Sequence, residues 1–462
     1  MERGLSGTTV RSPRHVAPSG SVARRNRRGG RSRSAGDRGG GRRDIGRSIG
    51  FASGRTSRTR SYARLVLGLV VLAGLIAAAG VMQVGRALPK LSLRYSLPAT
   101  AVVPGAAPLM PWPAVGEAAV AVPALGVSLS SPGSHAVPIA SVTKMMTAYI
   151  VLRDHPLAVG AQGPSVTMTS GDVGVYSNDV ALDESSVPVN AGESLTERQL
   201  LEALLIPSAN NIANLLAIWD AGTTAAFVAK MNATARELGM TATQYAGPSG
   251  YNPGSVSTPA DQIVLAEKAM EIPAFAAIVD KPTVNLPVAG VVGNYNVMLG
   301  HDGVVGVKSG FTAQADGCLV VAATSNIAGT KGLVYAAVFG QLGMNPLGAA
   351  GSGTRSLVDA ARSGFTHYRV VVGGDHAGDV QGRWGGRTHT AGVVLKSSAS
   401  VVAWPGEVVR LSETHRNLIP GQMRGTTLGD VIVQLGTQRL TVPLLSQSRL
   451  PKPSLTWRLT RL

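Results

Sequence analysis

Twenty-one consecutive residues without a charge, "LVLGLVVLAGLIAAAGVMQVG" at positions 65–85, constrain this chain more than any other feature. At about 1.5 Å of rise per residue, a helical run of this length covers roughly 32 Å, enough for a hydrocarbon core of about 30 Å. We therefore expect a membrane-spanning helix at 65–85. A cleavable secretory signal has a shorter apolar stretch close to the start of the chain, whereas this one begins after 64 residues; the small residues Ala77 to Gly80 would suit cleavage, and an uncleaved anchor is the preferred reading.

The charge distribution agrees. Residues 1–64 hold 17 arginines against three acids, Glu2, Asp37 and Asp44, and so carry +14 of the chain's formal +17. Positive flanks stay on the cytoplasmic side, which places residues 1–64 inside and everything after Arg86 outside. The tail is Gly, Ser and Arg rich and has little to bury, so disorder is expected. Two roles compete for it: topogenic charge with attraction to anionic headgroups, or binding of nucleic acid or another partner. The body is nearly neutral, and nucleic acid is not expected as its partner.

Prolines at 89, 98, 104, 108, 111 and 113 interrupt the next stretch without helical or strand periodicity, so 86–112 reads as a semi-rigid stalk. The remaining length is more than one hydrophobic core usually needs, and two folded units are expected at 113–365 and 366–456. The single Cys318 excludes an intramolecular disulfide and is expected to be a buried small apolar residue.

Three constellations stand out in the first unit. After a β-hairpin pattern in "GEAAVAV" and "GVSLSS", Ser141 precedes "VTKMMTAYIVLRDH", whose apolar residues recur at helical spacing. Ser141 suits an N-cap, yet a spacing of three also sets Lys144 about one turn away on the same face, where a neutral amine can take the hydroxyl proton. In "TERQLLEALLIPSANNIANLLAIWDAG", Thr196 and Gln199 form a capping-box pattern for a helix that Pro207 should interrupt. Ser208 and Asn210 then form either a second cap or a hydroxyl and an amide offered to a cleft. In "DGVVGVKSGFTAQADGCLVVAATS", Lys308-Ser309-Gly310 ends a Val-rich strand, and a second strand follows from Leu319 to Ala323. Lys308 is either edge-strand protection or a cation for an anionic ligand, with Gly310 permitting close backbone approach.

The order S-x-x-K, S-x-N, K-[ST]-G, using two of only nine lysines, resembles the motif set of penicillin-binding proteins and serine β-lactamases. Over about residues 112–365 the sequence resembles in particular the low-molecular-weight D-alanyl-D-alanine carboxypeptidases of the S11 peptidase type. This resemblance implies an α+β fold: a DD-peptidase or serine β-lactamase-like antiparallel sheet flanked by helices, with a helical subdomain and the site between them. It also implies catalytic roles for Ser141 as nucleophile, Lys144 as base and Ser208 as proton relay. Asn210 would hold the substrate backbone, and Lys308, Ser309 and Gly310 would form the opposite wall and bind the terminal carboxylate. The backbone N–H groups of Ser141 and Phe311 would make the oxyanion hole. The partners implied are peptidoglycan stem peptides, β-lactams as inhibitors and the cytoplasmic membrane. Ala209 and Ser309 depart from the usual glycine or aspartate and threonine while keeping the functional groups. A serine β-lactamase shares the acylating residues, and a catalytically weak cell-wall peptide-binding protein is a second rival.

No cofactor is indicated: the eight histidines lack metal-ligand spacing, and His301-Asp302 near the third motif is an isolated pair. "TTAAFVAKMNATARELGM" and "STPADQIVLAEKAM" read as amphipathic helices, the second capped by Thr258. After a helix in "GSGTRSLVDAARSGF", short Val-rich runs with Gly and Pro predict a small all-β domain of sandwich-like spacing at 366–456.

Overall fold

In the computed structural model, which describes residues 56–461, the apolar run lies within one long helix, Thr56–Gly85, whose residues 65–79 are all exposed. It is the single described helix long and apolar enough to cross a membrane. Most of the expected tail at 1–64 lies outside the described residues. The last carbonyls of any helix lack partners within it and form the negative end of its dipole. Here the carbonyl of Val84 accepts from Arg458, in a short C-terminal helix Leu455–Thr460, and that of Gln83 from Arg461 just after it; Arg461 also donates to the carbonyls of Arg86 and Ala87, beyond the end of the long helix.

The segment expected to be a stalk is instead structured. Ser92–Tyr95 and Thr100–Val102 are strands at the two edges of a seven-stranded antiparallel sheet, paired respectively with His376–Trp384 and Val408–His415. In order across the sheet, Arg387–Leu395, Gln438–Ser446 and Thr427–Leu435 lie between those two partners. The prolines sit outside the paired residues, where they need donate no ladder hydrogen bond. A two-stranded ribbon, Thr366–Val371 with Ala399–Ala403, shares the apolar core of this sheet through Val371, Val401 and Ala403. The C-terminal unit is thus one long sheet with a ribbon, and the N-terminal segment completes it.

The middle of the chain forms the α+β body. Its five-stranded antiparallel sheet runs Val304–Gly310, Gly317–Ile327, Thr330–Gln341, Glu117–Val122 and Val127–Ser130, and the last two form the expected hairpin. Alternation along each strand feeds two cores. Leu319, Val321, Ala336 and Val338 face the helix Pro346–Ser363, while Val320, Ala322, Ala337 and Phe339 face the helical side. There Lys144–Asp154 is buried at eight of its eleven residues and lies enclosed by Glu197–Leu205, Asn210–Ala221, Thr224–Glu237, Pro259–Met270 and Pro273–Val279. The Thr196–Gln199 capping box is present, and Thr258 caps the helix that follows it. Cys318 is fully buried.

The two units meet at particular residues. Thr437 Oγ1 donates to Ala124 O at 2.8 Å, and Phe365 stacks on Trp404 with ring centroids 4.6 Å apart.

Candidate active site

Ser141 does not act as a side-chain N-cap. It lies in a 3-10 turn, Ala140–Thr143, and Lys144 begins the helix proper. The Ser141 hydroxyl is instead 2.8 Å from Lys144 Nζ, which donates to it. Lys144 Nζ also donates to Asn210 Oδ1 and to the carbonyl of Ser249 at 2.8 Å. The Ser249 loop is fixed by Thr147 Oγ1, which donates to Pro248 O at 2.7 Å.

The second constellation is set by the chain break at Pro207. The preceding helix ends at Leu205 and the next starts at Asn210, so Ser208 stands on the connection with φ +66°. That left-handed conformation is costly for a serine, as is φ +44° at Ala140 beside Ser141; strain of this kind persists where surrounding structure enforces it. Ser208 Oγ is buried and has no hydrogen-bond partner among the described residues. A buried hydroxyl left unpaired has an unmet demand that a ligand can satisfy.

The third constellation ends the edge strand Val304–Gly310. Gly310 lies against the Ala140–Thr143 turn: a Cβ there would stand 2.8 Å from the Ser141 backbone nitrogen. Gly250 closes the other side with φ +83°, and a Cβ on it would meet the Ala140 carbonyl at 1.8 Å.

These elements enclose a cleft of about 610 Å³ lined by Ser141, Ser208, Asn210, Ser309, Gly310 and Phe311. The two lysines are brought to the same place but lie beneath the surface, 0% and 2% exposed. Lys308 is therefore not edge protection, and it does not line the cleft wall in which the sequence reading puts it; its Nζ donates to Ser309 O at 2.9 Å, directly behind that wall. Burial depresses Lys308 to about 7. Burial also holds Lys144 well below the ordinary lysine range, and the nearby Lys308 cation adds to this, while Glu184 and Asp179 oppose it.

Several cleft residues were not singled out from the sequence. Glu184 lines the cleft, accepts from Asn210 Nδ2 at 2.6 Å and has its carboxyl raised by burial. Tyr251 and Tyr295, also unforeseen, form a half-exposed aromatic rim with Phe311, which the sequence reading names only for its backbone N–H. Ser249 contributes through its backbone, which no side-chain motif could reveal. The His301-Asp302 pair is not part of the cleft lining, and Asp302 accepts from Arg355 at 2.6 Å.

Comparison with known proteins agrees with this geometry. Residues 129–340 match the S11 peptidase family, described as D-alanyl-D-alanine carboxypeptidase. The D-alanyl-D-alanine carboxypeptidase DacB2 of Mycobacterium tuberculosis is 37% identical over 169 residues, 35% of this chain and 57% of that protein. A D-alanyl-D-alanine carboxypeptidase of Streptomyces sp. strain K15 is 31% identical over 202 residues, 40% of this chain and 67% of that protein. The chain thus spans between little more than half and two thirds of the length of these relatives. The crystal structure of the D-alanyl-D-alanine carboxypeptidase DacD from Francisella tularensis shares the fold with a TM-score of 0.52 at 19% identity, over 76% of this chain and 97% of that one. With Ser141, Ser208, Asn210, Ser309 and Gly310 lining one cleft and Lys144 and Lys308 buried directly behind it, the chain belongs to the S11 family of D-alanyl-D-alanine carboxypeptidases.

Proposed function

We infer that this protein is a serine D-alanyl-D-alanine carboxypeptidase, tethered to the cytoplasmic membrane by the helix at 65–85 with its body outside, and that it trims stem pentapeptides of peptidoglycan. The observation that carries this reading is the Ser141–Lys144 contact at 2.8 Å with the amine wholly buried. A lysine whose charged form is disfavoured can serve as a base near neutral pH.

In this mechanism Ser141 Oγ attacks the carbonyl carbon of the penultimate D-alanine while Lys144 Nζ takes the hydroxyl proton. The resulting oxyanion is held by the N–H groups of Ser141 and Phe311, each such donor contributing about 10² to 10³ in rate. The peptide C–N bond then breaks, and Ser208 passes a proton from Lys144 to the leaving amine, which departs as D-alanine. Water attacks the ester with Lys144 again as base, releasing the shortened peptide and restoring Ser141. Asn210 aligns the substrate backbone. Ser309, with the Lys308 ammonium behind it, receives the free carboxylate, which explains selection for a chain end. Penicillin would acylate the same serine.

The test is release of D-alanine from a stem pentapeptide by the full chain in detergent, beside its Ser141→Ala variant. Release by the parent alone is expected, and release by neither would overturn the carboxypeptidase reading. Turnover of penicillin, rather than a lasting adduct, would favour a β-lactamase.

A further inference from the structure

Lys144 Nζ has three hydrogen-bond neighbours: Ser141 Oγ, Asn210 Oδ1 and Ser249 O. An ammonium fills all three with its three N–H groups. A neutral amine has two N–H groups and a lone pair, and two of these neighbours, the amide oxygen and the backbone carbonyl, can only accept. They take both hydrogens, and the lone pair is left facing the hydroxyl, the one neighbour able to donate. This direction depends on Asn210 presenting its oxygen. Turned over, its NH₂ would face Lys144 and compete with Ser141 for the lone pair.

The structure also contains what prevents the turn. Asn210 Nδ2 donates to Glu184 Oε2 at 2.6 Å, and an ionised carboxylate only accepts, so it selects the NH₂ end. Glu184 is itself anchored. Its backbone N–H donates to Asp179 O at 2.8 Å, the Asn210 backbone N–H donates to Ser185 O at 2.7 Å, and Ser186 Oγ donates to Asp179 Oδ2 at 3.0 Å.

We propose that Glu184 is a positioning residue for acylation, which fixes the Asn210 amide so that the Lys144 lone pair points at Ser141. The inference rests on the reading of Ser141 as nucleophile and Lys144 as its base. Glu184 has a second, separable effect through its charge. Among the described residues, the charged groups acting on Lys144 are Lys308 from the edge strand and Glu184 and Asp179 from the 179–184 segment; those acting on Glu184 are Asp179 and Lys144. The Glu184 charge favours the ammonium form of Lys144, so removing it lets Lys144 lose its proton at lower pH.

The experiment compares the acylation rate constant with a fluorescent penicillin from about pH 5 to about pH 10 for the full chain and its Glu184→Ala and Glu184→Gln variants, with melting temperatures measured alongside. Glu184→Ala should lose about tenfold or more of the plateau rate. Glu184→Gln keeps an oxygen for Asn210 Nδ2 and should recover most of that loss, while its acid limb moves to lower pH. A plateau in Glu184→Ala within about twofold of the parent, or a Glu184→Gln variant that folds normally yet is as slow as Glu184→Ala, overturns the proposal. Failure of the parent itself to be acylated on Ser141 overturns the underlying carboxypeptidase reading instead.

Discussion

Two lysines beside one cleft would repel each other if both were charged, and the proposed mechanism gives them different tasks. In that mechanism Lys144 must be neutral to act as base, so the rate should rise as pH climbs through its depressed value. Lys308 must be charged to attract a carboxylate, and its folded value of about 7 lies below that of a free lysine. The sign follows directly: as pH rises past about 7 the Lys308 cation is lost, and binding of a carboxylate weakens. KM for a stem pentapeptide should therefore increase above about pH 7, approaching about tenfold per unit, whereas a peptide ending in an amide should show a flat KM. Equal profiles for the two peptides would remove Lys308 from carboxylate binding. Substrate binding should also draw a proton from solution above that pH, which calorimetry in buffers of different ionisation enthalpy detects.

At the scale of elements, the site depends on how closely a strand approaches a turn. The Val304–Gly310 strand passes so near Ser141 that a methyl group at Gly310 would stand 2.8 Å from its amide nitrogen. If Ser141 is the nucleophile as proposed, Gly310→Ala should push the strand away from the Ala140–Thr143 turn and lower acylation by about 10²-fold, since displacements near 1 Å at reacting groups cost that much. A near-parental rate in a folded Gly310→Ala protein would show that the turn yields without misplacing Ser141. Much of this layer is legible in the sequence. The capping residues Thr196 and Thr258, the breaker Pro207 and the apolar run Leu319 to Ala323 act through neighbours a few residues away, so their consequences can be read locally. Of the two alternatives left open for Ser141, the N-cap fails for a local reason as well: the 3-10 turn starts at Ala140, and Lys144 rather than a backbone amide meets the hydroxyl.

At the scale of the whole molecule, the C-terminal sheet is joined to the catalytic body and completed by the segment before that body. Trp404 stacks on Phe365 and belongs to the apolar cluster beneath the helix Pro346–Ser363. Trp404→Ala should cost about 3–5 kcal/mol at this junction and split a shared calorimetric transition into two, with the catalytic body still acylated by penicillin. A single unshifted transition would mean that the contact does not couple the units. The apolar run, the identity and order of Ser141, Lys144, Ser208, Asn210 and Lys308, and the helices and strands with strong local periodicity are already written in the linear chain, because each depends on residue chemistry and short-range spacing. Folding adds that Ser92–Tyr95 and Thr100–Val102 pair with strands about 300 residues later, that Glu184 reaches Asn210, and that both lysines are enclosed. Strand pairing at an edge is set by which distant backbone is brought alongside, and the proton affinity of a lysine by how completely water is removed around it; neither quantity exists until the chain has folded.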